Sequence, residues 1–248
     1  MLGIVGGSGL ARLASLQNTR RKIFRTPWGE PSCPLTFGEL DGREVVFLAR
    51  HGHGHTIAPH EINYRANIWA LREAGADAIV SVATVGGIGC DCAPGAILVA
   101  DQIIDYTHSR KGTYFEGAGR PVMHVDFTEP YDAMLRQRLI DAAAAIGEPV
   151  IDGAVYGCRQ GPRLETAAEI RMLARDGCDI VGMTGMPEAA LARELELPYA
   201  ALCVVANHAA GIGDSARQIS LQAISEVLDQ TMVRVRAILA RTVHGIGA

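Results

Sequence analysis

Seven short runs, apolar at nearly every position and each set off by a longer stretch with helical spacing, constrain this chain more than any other feature. "LGIV", "EVVFLA", "AIVSVATV", "AILVADQIID", "GAVYGC", "DIVGMT" and "AALCVVAN" lack the polar–apolar alternation of a half-exposed strand. Strands that are apolar on both faces must be covered on both faces, as in parallel sheets flanked by helices. Between them, "NYRANIWALREAGA", "YDAMLRQRLIDAAAAIG", "TAAEIRMLARDG" and "PEAALARELE" place apolar residues at i, i+3 and i+4, often ending in glycine. A last helix is expected from about Ser220 to Arg241. The pattern predicts an α/β chain, a three-layer sandwich on a central mixed, mostly parallel sheet. With 248 residues and no repeat, linker or low-complexity tract, it reads as one domain over 1–248.

Charge narrows the function. Lys and Arg number 23 against 27 Asp and Glu, interspersed along the chain, for a net charge of -4. No basic block exists to neutralise a run of phosphates, so nucleic acid is not an expected partner. No apolar run reaches the roughly 18 residues of a membrane span, so no membrane partner is expected either. "MLGIVGGSGL" has no basic region ahead of its apolar residues, so it does not read as a signal peptide, and the expected location is cytoplasmic. Six cysteines are scattered without a CxxC pair; Cys90 and Cys92 are spaced to bridge or share a metal, but reduced, mostly buried thiols are expected. Residues 107–125, "THSRKGTYFEGAGRPVMHV", are the one long irregular stretch, a length usual for functional, disordered or interface-forming loops.

Three pieces carry chemistry. "FLARHGHGHTIAPHE" (47–61) holds four of the eight histidines directly after Arg50. A zinc site wants imidazoles on one face with carboxylate or thiolate support, and a permanent guanidinium repels a metal dication while it attracts a phosphate. The stretch therefore favours an anion cradle with no metal, built on Arg50 and His51, with His60 in a structural turn. "GIVGGSGL" runs a strand into a glycine turn that aims backbone N–H groups and the Ser8 hydroxyl at an anion; a plain tight turn explains it equally well alone. It is not a GxGxxG fingerprint, which argues against a dinucleotide. "VGMTGMPEAALAREL" places Thr184 at a strand's end beside a helix start, where open α/β sheets bind ligands, although Thr184 as a simple helix cap also fits.

The set "GGSGL", "LARHGHGHTIAPHEINYRANIWAL", "GPRLETAAEI" and "GMTGMPEAALARE" resembles the methylthioadenosine and purine nucleoside phosphorylase family, over about residues 2–242. Within it, the branch acting on S-methyl-5′-thioinosine is the most similar. The resemblance implies a nucleoside phosphorylase fold and a homotrimer that cleaves a purine nucleoside with inorganic phosphate as co-substrate and without a metal or organic cofactor. It implies that Ser8, Arg50, His51 and Thr184 hold phosphate, with backbone from Ala83 and Thr84. Threonine at 84 departs from the alanine frequent in relatives, a change that backbone contact tolerates. Met183 would lie under the ribose, and "GPRLET" and "VVANHAAG" would surround the base with Leu164, Glu165, Asn207, His208 and Ala209.

Methylthioadenosine phosphorylases typically carry serine at the position of Glu165 and aspartates at those of Asn207 and Ala209; phosphorylases of 6-oxopurines carry Glu and Asn. Physical chemistry agrees with the second group. A 6-oxopurine offers an N1–H that the Glu165 carboxylate accepts, whereas adenine N1 offers a lone pair that the carboxylate opposes. Glu165 as a helix-start acid is the plainer alternative. Where ordinary purine nucleoside phosphorylases usually present a histidine to the 5′-hydroxyl, "ISLQAISEVL" offers Ile219, Leu221 and Ile224, suited to a methylthio group, unless these are only a helix's core face. His124 resembles a residue that relatives lend to the neighbouring subunit's 5′ pocket. The expected reaction is phosphorolysis of S-methyl-5′-thioinosine to hypoxanthine and 5-methylthioribose 1-phosphate, with Asn207 and Glu165 catalytic and His51 a positioning donor. A general inosine and guanosine phosphorylase, a methylthioadenosine phosphorylase, a non-catalytic nucleotide-binding module and a zinc hydrolase are the alternatives.

Overall fold

Every strand but those at the rim is buried along most of its length, and the sheet is built around two of them. In the computed structural model, which describes residues 1–10, 13, 15–117, 119 and 121–245, β1 (Leu2–Gly6) lies between β4 (Arg43–Ala49) and β5 (Ala78–Gly87), parallel to both. Ala118 and Arg120 of the long irregular stretch, and residues 246–248 of the expected domain, lie outside the described residues. Beyond β4 come β3 (Leu35–Leu40) and β2 (Gln17–Lys22), each antiparallel to its neighbour. On the far side β5 meets β10 (Ile180–Gly182), followed by the parallel pairs with β9 (Val155–Cys158) and β7 (Gln102–Asp105). A branch of the same sheet runs through β11 (Tyr199–His208), parallel to β5, to β6 (Ile97–Val99) and β8 (Ile151–Asp152). The result is a mixed, mostly parallel sheet of 11 strands in one domain.

Helices cover the sheet in pairs. α1 (Tyr64–Glu73) packs with α4 (Gly185–Glu194), and α2 (Ala133–Ala145) packs with α5 (Leu221–Thr242), which also lies on β11; α3 (Ala167–Arg175) follows β9. Polar side chains start them where the sequence provides caps. Asn63 accepts from Ala66 N, Asp132 from Leu135 N and Ser220 from Ala223 N, each such cap stabilising by about 0.5–2 kcal/mol. No helix among the described residues is long and apolar enough to cross a membrane.

Several elements depart from the sequence reading. "AILVADQIID" is two strands, β6 and β7, because Asp101 turns the chain: its carboxylate accepts from Ala154 N at 2.8 Å, and the two halves then pair with different partners. β2, "QNTRRK", is exposed at every position and owes its form to pairing with β3, so hydrophobic pattern had no means of marking it. β3 and the two-residue β8 were likewise not expected as strands. The irregular stretch after β7 is packed in its middle: Tyr114 sits against Trp28 and Trp69, ring centroids 5.3 and 5.5 Å away, and its hydroxyl donates to Arg65 O.

The feature that positions the site is a fork in β5. β1 pairs with it only as far as Val82, and β10 joins from Gly86. Residues 83–85 therefore have β11 on one edge and, among the described residues, no strand on the other. A cavity occupies that gap.

Candidate functional site

The cavity measures about 440 Å³ and draws its wall from the turn after β1, the end of β4, the β5 fork, the loop before α3, the end of β10, the end of β11 and the start of α5. Of the residues expected from sequence, Ser8, Arg50, His51, Thr84, Leu164, Glu165, Met183, Thr184, Asn207, Ala209 and Ile219 all line it. Ala83 is buried behind the wall on the unpaired edge of β5. His208 and His124 are not part of the wall; His124 is exposed.

On one side of the cavity, Arg50 is wholly buried and bound by a residue the sequence reading missed. Its Nε and Nη2 donate to the two carboxylate oxygens of Glu188, at 2.8 and 2.9 Å, in a bidentate pair with both side chains fully buried. Nη2 also donates to Ser81 Oγ and Nη1 to Val82 O, and the Tyr199 hydroxyl donates to Glu188. Burial by itself would lower the Arg50 pKa; Glu188 outweighs it and raises the pKa, keeping the guanidinium charged. Of five donors, one Nη1 hydrogen remains for a ligand. Glycine is required at position 7, since a Cβ there would lie 2.7 Å from Arg50 Nη1 and 2.9 Å from Val82 O. The Glu188 signal was one acid at the second position of an expected helix, indistinguishable in sequence from a surface first-turn acid.

His51 donates through Nδ1 to Ile57 O at 2.9 Å, which leaves Nε2 as an acceptor in the neutral ring. Burial, aided by Arg50 and His55, pulls its pKa down to about 4 against the Ile57 carbonyl and Glu188. The expectation of a simple donor at His51 thus requires a proton taken up with the anion. His55, also missed from sequence, lines the cavity with its ring centroid 4.2 Å from that of His51 and Nε2 at 3.5 Å from Ser8 Oγ. The Thr84 hydroxyl donates to Ser8 O and ties the glycine turn to the fork. Thr184 stands at the N-terminus of α4 but makes no side-chain cap, so its buried hydroxyl is not consumed by the helix. Among the described residues no three His, Cys, Asp or Glu side chains are grouped to hold a metal ion. All six cysteines are free, and burial pushes Cys158 and Cys203 up to about 12.

On the opposite side, Glu165 precedes α3 without capping it. Thr166 and Glu169 form the capping box: Thr166 Oγ1 accepts from Glu169 N, and Glu169 accepts from Thr166 N. Glu169 further binds Arg163 and Arg159, and Arg163 foremost holds its pKa down to about 2. Glu165 Oε1 is buried with no hydrogen-bond partner among the described residues, and burial raises its pKa. A carboxylate oxygen withdrawn from water and left unpaired is a costly arrangement that a ligand N–H relieves. Asn207 follows a bulge in β11 between Val205 and Asn207, and its Nδ2 donates to His208 O at 2.6 Å, which leaves Oδ1 as an acceptor. Ile219 and Ile224 form an apolar end, whereas Leu221 is 73% exposed and faces away from it. The cavity therefore brings together a polar group at Ser8, Arg50, His51 and Thr184, the Met183 side chain, an acceptor-lined slot at Glu165 and Asn207, and an apolar end.

The phosphorylase superfamily model matches residues 1–244, and the chain belongs to that family. It is 52% identical over 238 residues to a probable S-methyl-5′-thioinosine phosphorylase of Pseudomonas syringae pv. tomato, covering 96% of each. It is 46% identical to a 6-oxopurine nucleoside phosphorylase of Pyrococcus furiosus, covering 92% of this chain and 86% of that protein. Among solved structures, methylthioadenosine phosphorylase from Schistosoma mansoni in complex with adenine superposes with a TM-score of 0.94 at 32% identity, covering 99% of this chain and 91% of that one.

Proposed function

We propose that this protein is a pentosyltransferase that cleaves S-methyl-5′-thioinosine with inorganic phosphate, giving hypoxanthine and 5-methylthioribose 1-phosphate. The observation that carries the base assignment is Glu165 Oε1, buried and unpartnered beside the cavity. It accepts from N1–H of a 6-oxopurine and faces a lone pair in a 6-aminopurine, a mismatch of the kind that polar sites reject by factors of about 10⁴–10⁵.

Phosphate would sit among Ser8, Arg50, His51, Thr184 and the open backbone edge at Ala83–Thr84, under a ribose resting on Met183. As the C1′–N9 bond breaks, its electron pair leaves with the base, and the proton that hydrogen phosphate gives up on bonding C1′ passes through solvent to N7; Asn207 Oδ1 then accepts from that N7–H while Glu165 holds the N1–H of departing hypoxanthine. A phosphate oxygen meets the cationic C1′ and forms the new bond. The cradle around Arg50 and Glu188 carries no net charge, so it binds through aimed dipoles and the hydroxyls as much as through attraction. No metal or organic cofactor enters this scheme.

Ile219 and Ile224 would cover the 5′-methylthio group, with His124 arriving from a neighbouring subunit of a cytoplasmic homotrimer. Val122 and Met123 flank His124 and are 76% and 49% exposed, apolar area of the kind that assembly covers. His208 would support the base loop from behind rather than touch the base, its Nδ1 lying 3.8 Å from Asp214.

A second reading, phosphorolysis of inosine and guanosine, is favoured by His55, a polar ring on the cavity wall available to a 5′-hydroxyl. One assay separates them: hypoxanthine release from methylthioinosine, inosine and methylthioadenosine, with and without phosphate. Preference for methylthioinosine, dependent on phosphate, is expected; equal use of methylthioadenosine would overturn the base assignment, and equal use of inosine the 5′ assignment.

A further inference from the structure

Arg110 lies in the irregular stretch after β7, outside the cavity wall, yet it is bonded to the backbone on both sides of it. Nη1 donates to Met183 O at 2.8 Å and Met186 O at 2.6 Å, with the Tyr64 hydroxyl at 3.2 Å. Nη2 donates to Gln160 O at 2.8 Å and Arg159 O at 3.3 Å, and Nε to the Gln160 side chain at 3.1 Å. All five donors are used, and each of these partners is neutral. The carbonyls belong to two segments: 183–186, which carries Met183 and Thr184, and 159–160, which leads into Leu164 and Glu165. The same two segments touch at Gly161, where a Cβ would lie 2.5 Å from Met183 Sδ.

We propose that Arg110 is a positioning residue for the phosphorolysis, fixing the separation between the base-reading loop and the ribose and phosphate floor. The proposal rests on the reading of the site given above. A forked guanidinium suits the task because its rigid plane holds several carbonyls in one geometry, which a lysine's point charge does not. Each half-site keeps its own ligands when this brace is removed: Glu165 depends on the α3 capping box, and Arg50 on Glu188. What changes is their registry, and misplacement by about 1 Å costs on the order of 10²-fold in rate.

The test compares the unmodified protein with Arg110→Met and Arg110→Lys, measuring kcat with methylthioinosine and phosphate, binding of hypoxanthine alone and of inorganic phosphate alone, and melting temperature. The expected result for Arg110→Met is a kcat lower by about 10²-fold, with each separate affinity within about threefold of the parent. Arg110→Lys keeps the charge and part of the bonding; should the methionine variant fail to fold, it carries the test, with a kcat lower by about 10-fold and the same preserved affinities. A kcat within threefold of the parent in both folded variants, or in the lysine variant alone, would overturn the proposal. So would loss of both separate affinities in step with kcat, which marks a general scaffold residue. If the unmodified protein releases no hypoxanthine, the functional reading fails instead, and the binding and kcat comparison does not arise.

Discussion

Two ionisable side chains set the chemistry at the residue scale, and each yields a pH prediction. In the proposed reaction Glu165 must be ionised to accept N1–H, and burial raises its pKa above the ordinary carboxylate value. The kcat/KM for methylthioinosine should fall on the acid side with a midpoint above 4.5. Glu165→Gln should remove that limb and slow the reaction about 10²–10⁴-fold, as read from pH–rate profiles of both proteins. Glu165→Ser with Asn207→Asp should shift preference toward 6-aminopurines in the same assay. His51 is held neutral, with a folded pKa of about 4 against 6.5 unfolded. Between those values the unfolded chain binds a proton that the folded chain does not, so stability rises with pH through this window and is lost as pH falls from 6.5 toward 4. The melting temperature should therefore drop less steeply over that range in His51→Asn than in the parent. An oxyanion bound in the proposed cradle should reverse the balance at His51. Titration with sulfate, which carries no proton near neutrality, should show proton uptake as a dependence of binding heat on buffer ionisation enthalpy, absent in His51→Asn.

At the scale of elements, the capping box of α3 does two things at once. It starts the helix, and through Arg159 and Arg163 it fastens the loop that carries Glu165. Glu169→Gln keeps a capping-box acceptor but removes the charge, held down to about pH 2, that two arginines share, so it should lower the melting temperature. The variant should also raise KM for the nucleoside more than KM for phosphate, because Arg50 is bonded to Glu188, Ser81 and Val82 rather than to this loop. Most elements were legible in the sequence because burial on both faces leaves a plain apolar run, as in β1, β5 and β11. β2 was not, because its form comes from the partner strand rather than from its own side chains. The split of "AILVADQIID" was hidden for a similar reason: Asp101 breaks the run by bonding to Ala154 N, 53 residues along the chain.

For the whole molecule, the proposed assembly is open to direct test. Light scattering on the purified protein should give three times the 26.4 kDa chain mass. His124→Ala should raise KM for methylthioinosine while leaving phosphate KM near the parent value. If His124 serves the neighbour's site, co-refolding His124→Ala with Glu165→Gln should recover activity above the mean of the two parents, because some mixed interfaces pair both intact residues. Recovery no greater than that mean would place His124 outside the site.

The sequence by itself determined the layered α/β architecture and the three segments that meet at one cavity, because local pattern encodes which faces are buried and motif spacing encodes which turns are available. Only the tertiary structure decided how those groups are charged and held. Arg50 meets Glu188 at a separation of 138 residues, and Arg110 meets Met186 at 76. A guanidinium or an imidazole acquires its protonation state and its remaining donors from whatever folding brings against it, and in this chain those partners come from distant segments.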